Sequence, residues 1–267
     1  MRRVVPLLLA SFALVGCGGG GATSLDPVAK AATKTRDVAS ARFQLDMTVT
    51  DPDSKQTLHM RGPGVIADHG HLMEMKMHLD KTKGTPAFTM DGIITDDAMY
   101  LRSRLFQIAM PKGKEWLKAN EDDPVGNIGQ NDPGQMLDFL RGTGSVEEIG
   151  RGTVRGVSTT KYRARISLRK AVEKIPEDRR ARLEHAVDVL HEIGVDEVPM
   201  TVWVDGNDLV RRLTMNWVVK NPNNASDRFQ LKATMELFDF GTNARIVVPP
   251  AAKTMSYEQF VAQGGGG

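Results

Sequence analysis

The chain has 267 residues, 40% of them apolar, with 35 basic and 33 acidic side chains and a formal charge of +2. That length suits one large domain or two small ones, with ample material for a core. The surplus charge belongs to Arg2 and Arg3, so residues 17–267 carry 33 side chains of each sign, which leaves no electrostatic footprint for nucleic acid and no strong attraction to anionic lipid. A single cysteine, Cys17, excludes an intrachain disulfide.

The N-terminal segment has three parts: the cationic pair Arg2-Arg3, an apolar run from Val4 to Val15 broken by Pro6 and Ser11, and the small residue Gly16 before Cys17. A basic head, a short apolar stretch and a small-residue cleavage site read as a secretory signal peptide, too short to span a bilayer permanently. Leu14-Val15-Gly16-Cys17 resembles the lipobox of bacterial lipoproteins. The resemblance implies diacylglycerol on the Cys17 sulfur and cleavage before it. It also implies anchoring at the extracytoplasmic face of the cell membrane, without crossing it. A lipidated Cys17 leaves no thiolate for catalysis or metal binding. Residues 1–16 are thus the signal peptide and residues 17–24 a Gly-rich tether.

Asp26-Pro27 supplies an N-cap carboxylate and a proline at the first helical position, which opens a short amphipathic helix over residues 27–39. From Ala41 the apolar period changes to two. Phe43, Leu45, Met47 and Val49 alternate with polar residues, Leu58 and Met60 continue on a second strand, and Gly62-Pro63-Gly64 bends or ends it. Met73, Met75, Met77 and Leu79 repeat the pattern, and residues 88–94 and 98–101 form another hairpin around Thr95-Asp96-Asp97. Residues 104–133 are irregular. Asp132-Pro133 starts a helix that Gly142 ends. A second run of strands follows, at 146–150, 154–168, 200–205, 209–219 and 229–237. A helix at 176–193 with an apolar side at Leu183, Val187 and Leu190 interrupts it. The fold class is α+β: a single curved antiparallel sheet with helices on its concave side, occupying residues 25–250. Residues 251–267 read as a flexible C-terminal tail, with a short turn of helix around Tyr257 to Phe260.

The residues offer little catalytic chemistry. His69 and His71 share a strand face without a visible acid or third histidine, and His185 and His191 point to different sides of a helix. Ser167-Leu168-Arg169-Lys170 matches a Ser-x-x-Lys pattern whose companion motifs are absent. No nucleophile elbow, phosphate loop, dinucleotide fingerprint or calcium loop occurs. The expectation is no catalytic residue, no metal, no cofactor and no enzyme. What stands out is methionine, 14 residues of it, much of it on the apolar faces of the expected strands. Methionine is unbranched and adaptable, and suits a surface that accepts variable apolar shapes as well as it fills an ordinary core.

Two further segments carry a family resemblance. Gly152 to Tyr162, containing Arg155-Gly156-Val157, resembles a segment of the LppX/LprAFG-type lipoproteins of actinobacteria. So do Val202-Trp203-Val204-Asp205 and Leu209-Val210-Arg211-Arg212-Leu213, which look like that family's pair of strands. The likeness covers roughly residues 25–250. It implies a LolA-like, half-open β-barrel closed by helices around an apolar cavity that binds a lipid or acylated glycolipid and carries it within the envelope. On that reading the cavity is lined by Phe43, Leu45, Met47, Met73, Met75, Met77, Ile166, Met215, Trp217 and Met235. The helices at 27–39, 133–141 and 177–193 act as its lid, and Cys17 is the anchor. The alternative is an envelope sensor or scaffold that binds a protein partner and holds no lipid.

Overall fold

In the computed structural model the described residues are 26–51, 56–82, 86–120, 123, 137, 140, 143–173, 180, 184, 187–188, 190–192, 194–221 and 224–264. Cys17, the signal peptide, the tether and most of the expected helix at 133–141 lie outside them. None of the described helices is long and apolar enough to cross a membrane.

Helix α1 (Pro27–Arg36) begins as its sequence dictates. The Asp26 carboxylate accepts hydrogen bonds from the backbone N–H of Val28 at 2.9 Å and of Ala29 at 3.2 Å, which satisfies orphan donors of the first turn. Val28, Ala31, Ala32 and Thr35 are buried, the spacing of one helical face. Thr35 Oγ1 accepts the backbone N–H of Val210 at 2.8 Å, which ties the helix to the sheet.

Twelve strands among the described residues form one sheet. They are β1 (Ala41–Thr50), β2 (Thr57–Ala67), β3 (Leu72–Leu79), β4 (Phe88–Ile94), β5 (Met99–Arg102), β6 (Trp116–Ala119), β7 (Thr143–Val154), β8 (Val157–Ser167), β9 (Glu197–Asp205), β10 (Val210–Asn221), β11 (Asn224–Phe238) and β12 (Thr254–Ser256). Their order is β12-β6-β5-β4-β3-β2-β1-β11-β10-β9-β8-β7. All neighbours are antiparallel except β12 on β6. The two runs of strands read from the sequence are joined by β1 pairing with β11 over nine residue pairs, Arg42–Phe238 to Thr50–Gln230. The fold is the expected one: a large, open, curved antiparallel sheet with few helices. α1, Leu137, Leu140, Val187 and the helix α3 (Leu168–Glu173) pack with one face of the sheet in a single apolar cluster.

Several local expectations change. β2 runs straight through Gly62-Pro63-Gly64 instead of ending there. A Cβ on Gly62 would sit 1.9 Å from the Lys76 carbonyl oxygen, and one on Gly64 would sit 2.1 Å from Phe43 Cζ. The glycines therefore let β3 and the Phe43 ring close onto the strand. The β2–β3 ladder pairs Arg61 with His78 and resumes at Gly64 and Met75, a gap that Pro63, lacking an N–H, falls within. The segment 104–133 contains a capped helical turn, α2 (Arg104–Gln107), and β6. Strand β8 ends at Ser167, and Leu168 opens α3 rather than extending the strand.

Residues 251–264 are docked, where a flexible tail was expected. β12 pairs with β6 through Met255 and Leu117. Ser256 and Gln259 form a capping box that starts α4 (Tyr257–Ala262). Met255 and Phe260 are buried with Met99, Leu101 and Leu117 in a second core cluster. Composition alone hid this, because two apolar side chains and one cap hold the segment.

The two motifs of the family resemblance are hairpin devices. Arg155 (φ 49°) and Gly156 (φ 80°) form the two-residue turn between β7 and β8, and both need left-handed backbone. The Arg155 guanidinium lies 3.8 Å from the Phe238 ring centre. Asp205 accepts the N–H groups of Asn207 (2.8 Å) and Leu209 (3.0 Å) and the Arg211 Nε donor (2.6 Å), which closes the β9–β10 turn.

Candidate functional site: the apolar inner face

The register assembles the inner face row by row. One row runs Leu237, Phe43, Gly64, Met75, Gly92, Leu101, Leu117, Met255 across eight strands. Another runs Met200, Met215, Ala233, Met47, Met60, Leu79, Phe88. Because side chains alternate with period two, every second residue of each strand reaches the same face. All ten sequence-predicted lining residues fall on it. Phe43, Met73, Met77, Ile166, Met215 and Met235 are buried. Leu45, Met47, Met75 and Trp217 are half-buried and pack against the main cluster.

This face is covered unevenly. Between α1 and the sheet the space lined by Thr35, Val38, Ala41, Ile66, Leu137 and Leu237 is about 20 Å³, room for about one water. At the hairpin ends of β1–β2 and β3–β4 the same face opens into a cleft of about 540 Å³. Its apolar walls are Val49, Leu58, Leu79, Phe88 and Phe229, and its polar rim is Asp51, Gln56, Asp80 and Thr82. None of the ten predicted residues is on that wall. The wall consists of the next residues along the same alternations, and extending each pattern to its turn would have found Val49, Leu58 and Leu79. Phe88 and Phe229 are joined to it by register alone: Leu79 opposite Phe88, and Phe229 one step beyond Leu231.

Two polar features accompany the cleft. Trp217 Nε1 is buried and has no hydrogen-bond acceptor among the described residues, and its residue pairs with Leu231, which pairs with Val49 of the cleft wall. A buried donor left unmade is costly. Rim residue Asp80 also joins a cluster on the opposite sheet face, where His59 lies between two carboxylates, with Nε2 3.0 Å from Asp46 Oδ2 and Nδ1 2.9 Å from Asp80 Oδ2. Arg61 Nη1 donates to the same Asp80 oxygen at 2.9 Å. The hydrogen bond to Asp46, helped by that to Asp80 and opposed by partial burial, raises the His59 pKa above its ordinary value. Loss of water around Asp80 pushes its pKa up, but the hydrogen bonds from His59 and Arg61 outweigh this and hold it below the usual carboxylate range. Arg61 Nη1 also approaches His59 Nδ1 at 2.9 Å. A doubly protonated ring donates to both carboxylates, so Asp80 is the group that binds Arg61.

No group of three or more metal-ligating side chains occurs among the described residues. His69 Nδ1 is 3.0 Å from the Asp37 carbonyl oxygen and His71 Nδ1 is 3.0 Å from Asp96, so the two histidines have separate local partners. Ser167 ends β8 and directly precedes α3, but the companion motifs of a Ser-x-x-Lys nucleophile are absent from the sequence.

The geometry defines a class: an open antiparallel sheet whose inner face is a methionine-rich apolar surface, sealed on one side and cleft on the other. Comparison with known proteins gives relatives at low identity. No family model matches the chain. An uncharacterized 31.2 kDa protein encoded in the rplA-rplJ intergenic region of Streptomyces griseus is 25% identical over 164 residues, 57% of this chain; the match spans 52%, about half, of that protein's length. Among solved structures, lipoprotein LppX of Mycobacterium tuberculosis aligns over 83% of this chain and 96% of its own, at 12% identity and TM-score 0.47. LprF from Mycobacterium bovis aligns over 84% and 94%, at 14% identity and TM-score 0.42. These bear the names in the resemblance read from the sequence. At such identity no residue role is carried from them to this chain.

Proposed function

We propose that the chain is a membrane-anchored lipoprotein that binds a lipid or acylated glycolipid in its apolar cleft and carries it within the cell envelope. Cys17 supplies the anchor at the extracytoplasmic face. The observation that carries the reading is the open cleft of about 540 Å³ with walls of Val49, Leu58, Leu79, Phe88 and Phe229, within the range of about 300–1,000 Å³ usual for ligand sites. It continues into the row of Met47 and Met60, side chains that repack around acyl chains of differing shape. The Trp217 N–H, unpaired among the described residues, would donate to an ester or hydroxyl oxygen of a ligand that extends from the cleft to it, which favours an acylated polar lipid over a plain hydrocarbon. Binding then rests on apolar burial of roughly 25 cal/mol per Å², and it requires no catalytic group.

Organic extraction of purified protein lacking the anchor, followed by mass spectrometry, tests this directly. A stoichiometric acylated lipid is expected, along with displacement of a fluorescent fatty acid. Protein that emerges empty and leaves the fluorophore unbound refutes the reading. A stable protein partner recovered in its place would favour the sensor or scaffold alternative.

A further inference from the structure

Past the end of β5, the segment from Arg102 to Lys114 presents apolar side chains outward under a basic fringe. It reads Arg-Ser-Arg-Leu-Phe-Gln-Ile-Ala-Met-Pro-Lys-Gly-Lys, with four basic residues and no acidic one. Ile108 is 84% exposed and Leu105 is 43% exposed. The exposure is not that of a loose loop. Ser103 caps α2 through the Leu105 N–H, and the N–H groups of Ile108, Ala109, Met110 and Lys114 are all bonded within the segment. Lys114 Nζ also donates to the carbonyls of Ala251 (3.1 Å) and Thr254 (2.7 Å). Phe106 faces inward and meets Phe260 edge-on at 6.0 Å. Val261, the residue after Phe260 on α4, is 44% exposed. The fold therefore spends Phe106 and Phe260 on its core and holds Leu105, Ile108 and Val261 in water.

The charges around this patch are complementary to an anionic surface. Arg104 and Lys112 are exposed, and neither has an ion-pair partner among the described residues. Arg104 shares a depression of about 370 Å³ with Lys76, Thr89 and Gln107. The nearby acids Asp91 and Glu115 are already bound to Arg102 and Lys253. Glu258, exposed on α4, opposes the pattern. Thr89 and Asp91 alternate with the inward Phe88 and Gly92, so the depression lies on the sheet face opposite the cleft.

We infer that the α2 segment is a membrane-docking surface: Leu105, Ile108 and Val261 enter the interfacial region of an anionic bilayer, and Arg104, Lys112 and Lys76 meet its phosphates. An amphipathic segment of this kind lies in the interface and does not span. Docking here acts in addition to any tether at Cys17 and holds whether or not the cleft carries lipid.

The test uses the full chain with Cys17→Ser, a single polarity-sensitive fluorophore on Ile108→Cys, and vesicles with or without about one third anionic phospholipid, some of it brominated. A second protein carries the probe on Val218→Cys, exposed on the outer face, so attachment through the N-terminal segment would leave the two probes alike. The expected result is a blue shift and bromine quenching at position 108, absent at 218 and stronger with anionic lipid. With the probe moved to Leu105→Cys, Arg104→Glu plus Lys112→Glu should cut vesicle binding roughly tenfold, each cation near an anionic surface contributing appreciably. Because these side chains are exposed, circular dichroism should be unchanged. A probe at 108 that stays in water with both vesicle types, or that responds only to an added protein, overturns the inference.

Discussion

The two ends of one apolar face differ sharply. Near α1, Phe43, Met235 and Leu237 are essentially inaccessible. Further along the same strands, Val49 is half-exposed and Leu58 is 40% exposed. The alternation is the same at both ends, and so is the residue chemistry. What differs is the element laid over the face: α1, Leu137 and Leu140 at one end, a cleft at the other. An apolar strand face is thus neutral between core and binding surface until another element covers it or leaves it bare.

The largest effect that tests this contrast is Phe43→Ala at the sealed end, which should destabilise by about 3–5 kcal/mol in urea titrations, since the site is filled and cannot collapse freely. A loss below 1 kcal/mol would mean the sealed end is not packed as described. Gly64→Ala comes next. Its methyl would overlap the Phe43 ring, so a cost of roughly 1–3 kcal/mol is expected, relieved in the double variant with Phe43→Leu. Leu58→Ala, by contrast, should change stability by about 0.5 kcal/mol or less and weaken fluorescent fatty-acid binding, and Trp217→Phe should weaken binding of an ester-bearing probe more than that of a simple fatty acid. If Leu58→Ala instead matches Phe43→Ala in stability, the two ends are one core and the cleft is not a site.

The smallest effect lies in the cluster that includes the rim residue Asp80. His59 has a raised pKa, so its ion pairs stabilise the fold fully below its unfolded value and lose that contribution as pH rises through the folded one. Asp80, held low, contributes above its unfolded pKa and loses that as pH falls through its folded value. The two are jointly present on the acid side of neutrality, above the ordinary carboxylate range and below the ordinary histidine value. Asp46→Asn should move the His59 midpoint in an NMR titration back toward its ordinary value, with little change in stability because the group is near the surface. An unmoved midpoint would assign the shift to Asp80 alone.

Sequence periodicity carried much of the fold. Val28, Ala31, Ala32 and Thr35 marked the buried face of α1. Phe43 to Val49, Met73 to Leu79 and Leu213 to Trp217 marked strands and the side each one buries. Local chemistry was less legible wherever a remote neighbour decided it. Gly62-Pro63-Gly64 looked like a strand end because the Phe43 ring that needs Gly64 bare is far away in sequence. The terminal segment looked loose because its partner strand, Trp116 to Ala119, lay in a stretch with no period of its own.

By itself, then, the sequence determined which residues alternate, where Asp26 caps a helix and which side of each strand is apolar, since these depend on neighbours a few residues apart. Only the tertiary structure decided that β1 pairs with β11, that Ala41 is sealed while Leu58 faces a cleft, and that Ile108 stands in water. Those outcomes turn on which distant elements come to cover a surface, and burial is a property of that meeting rather than of the strand.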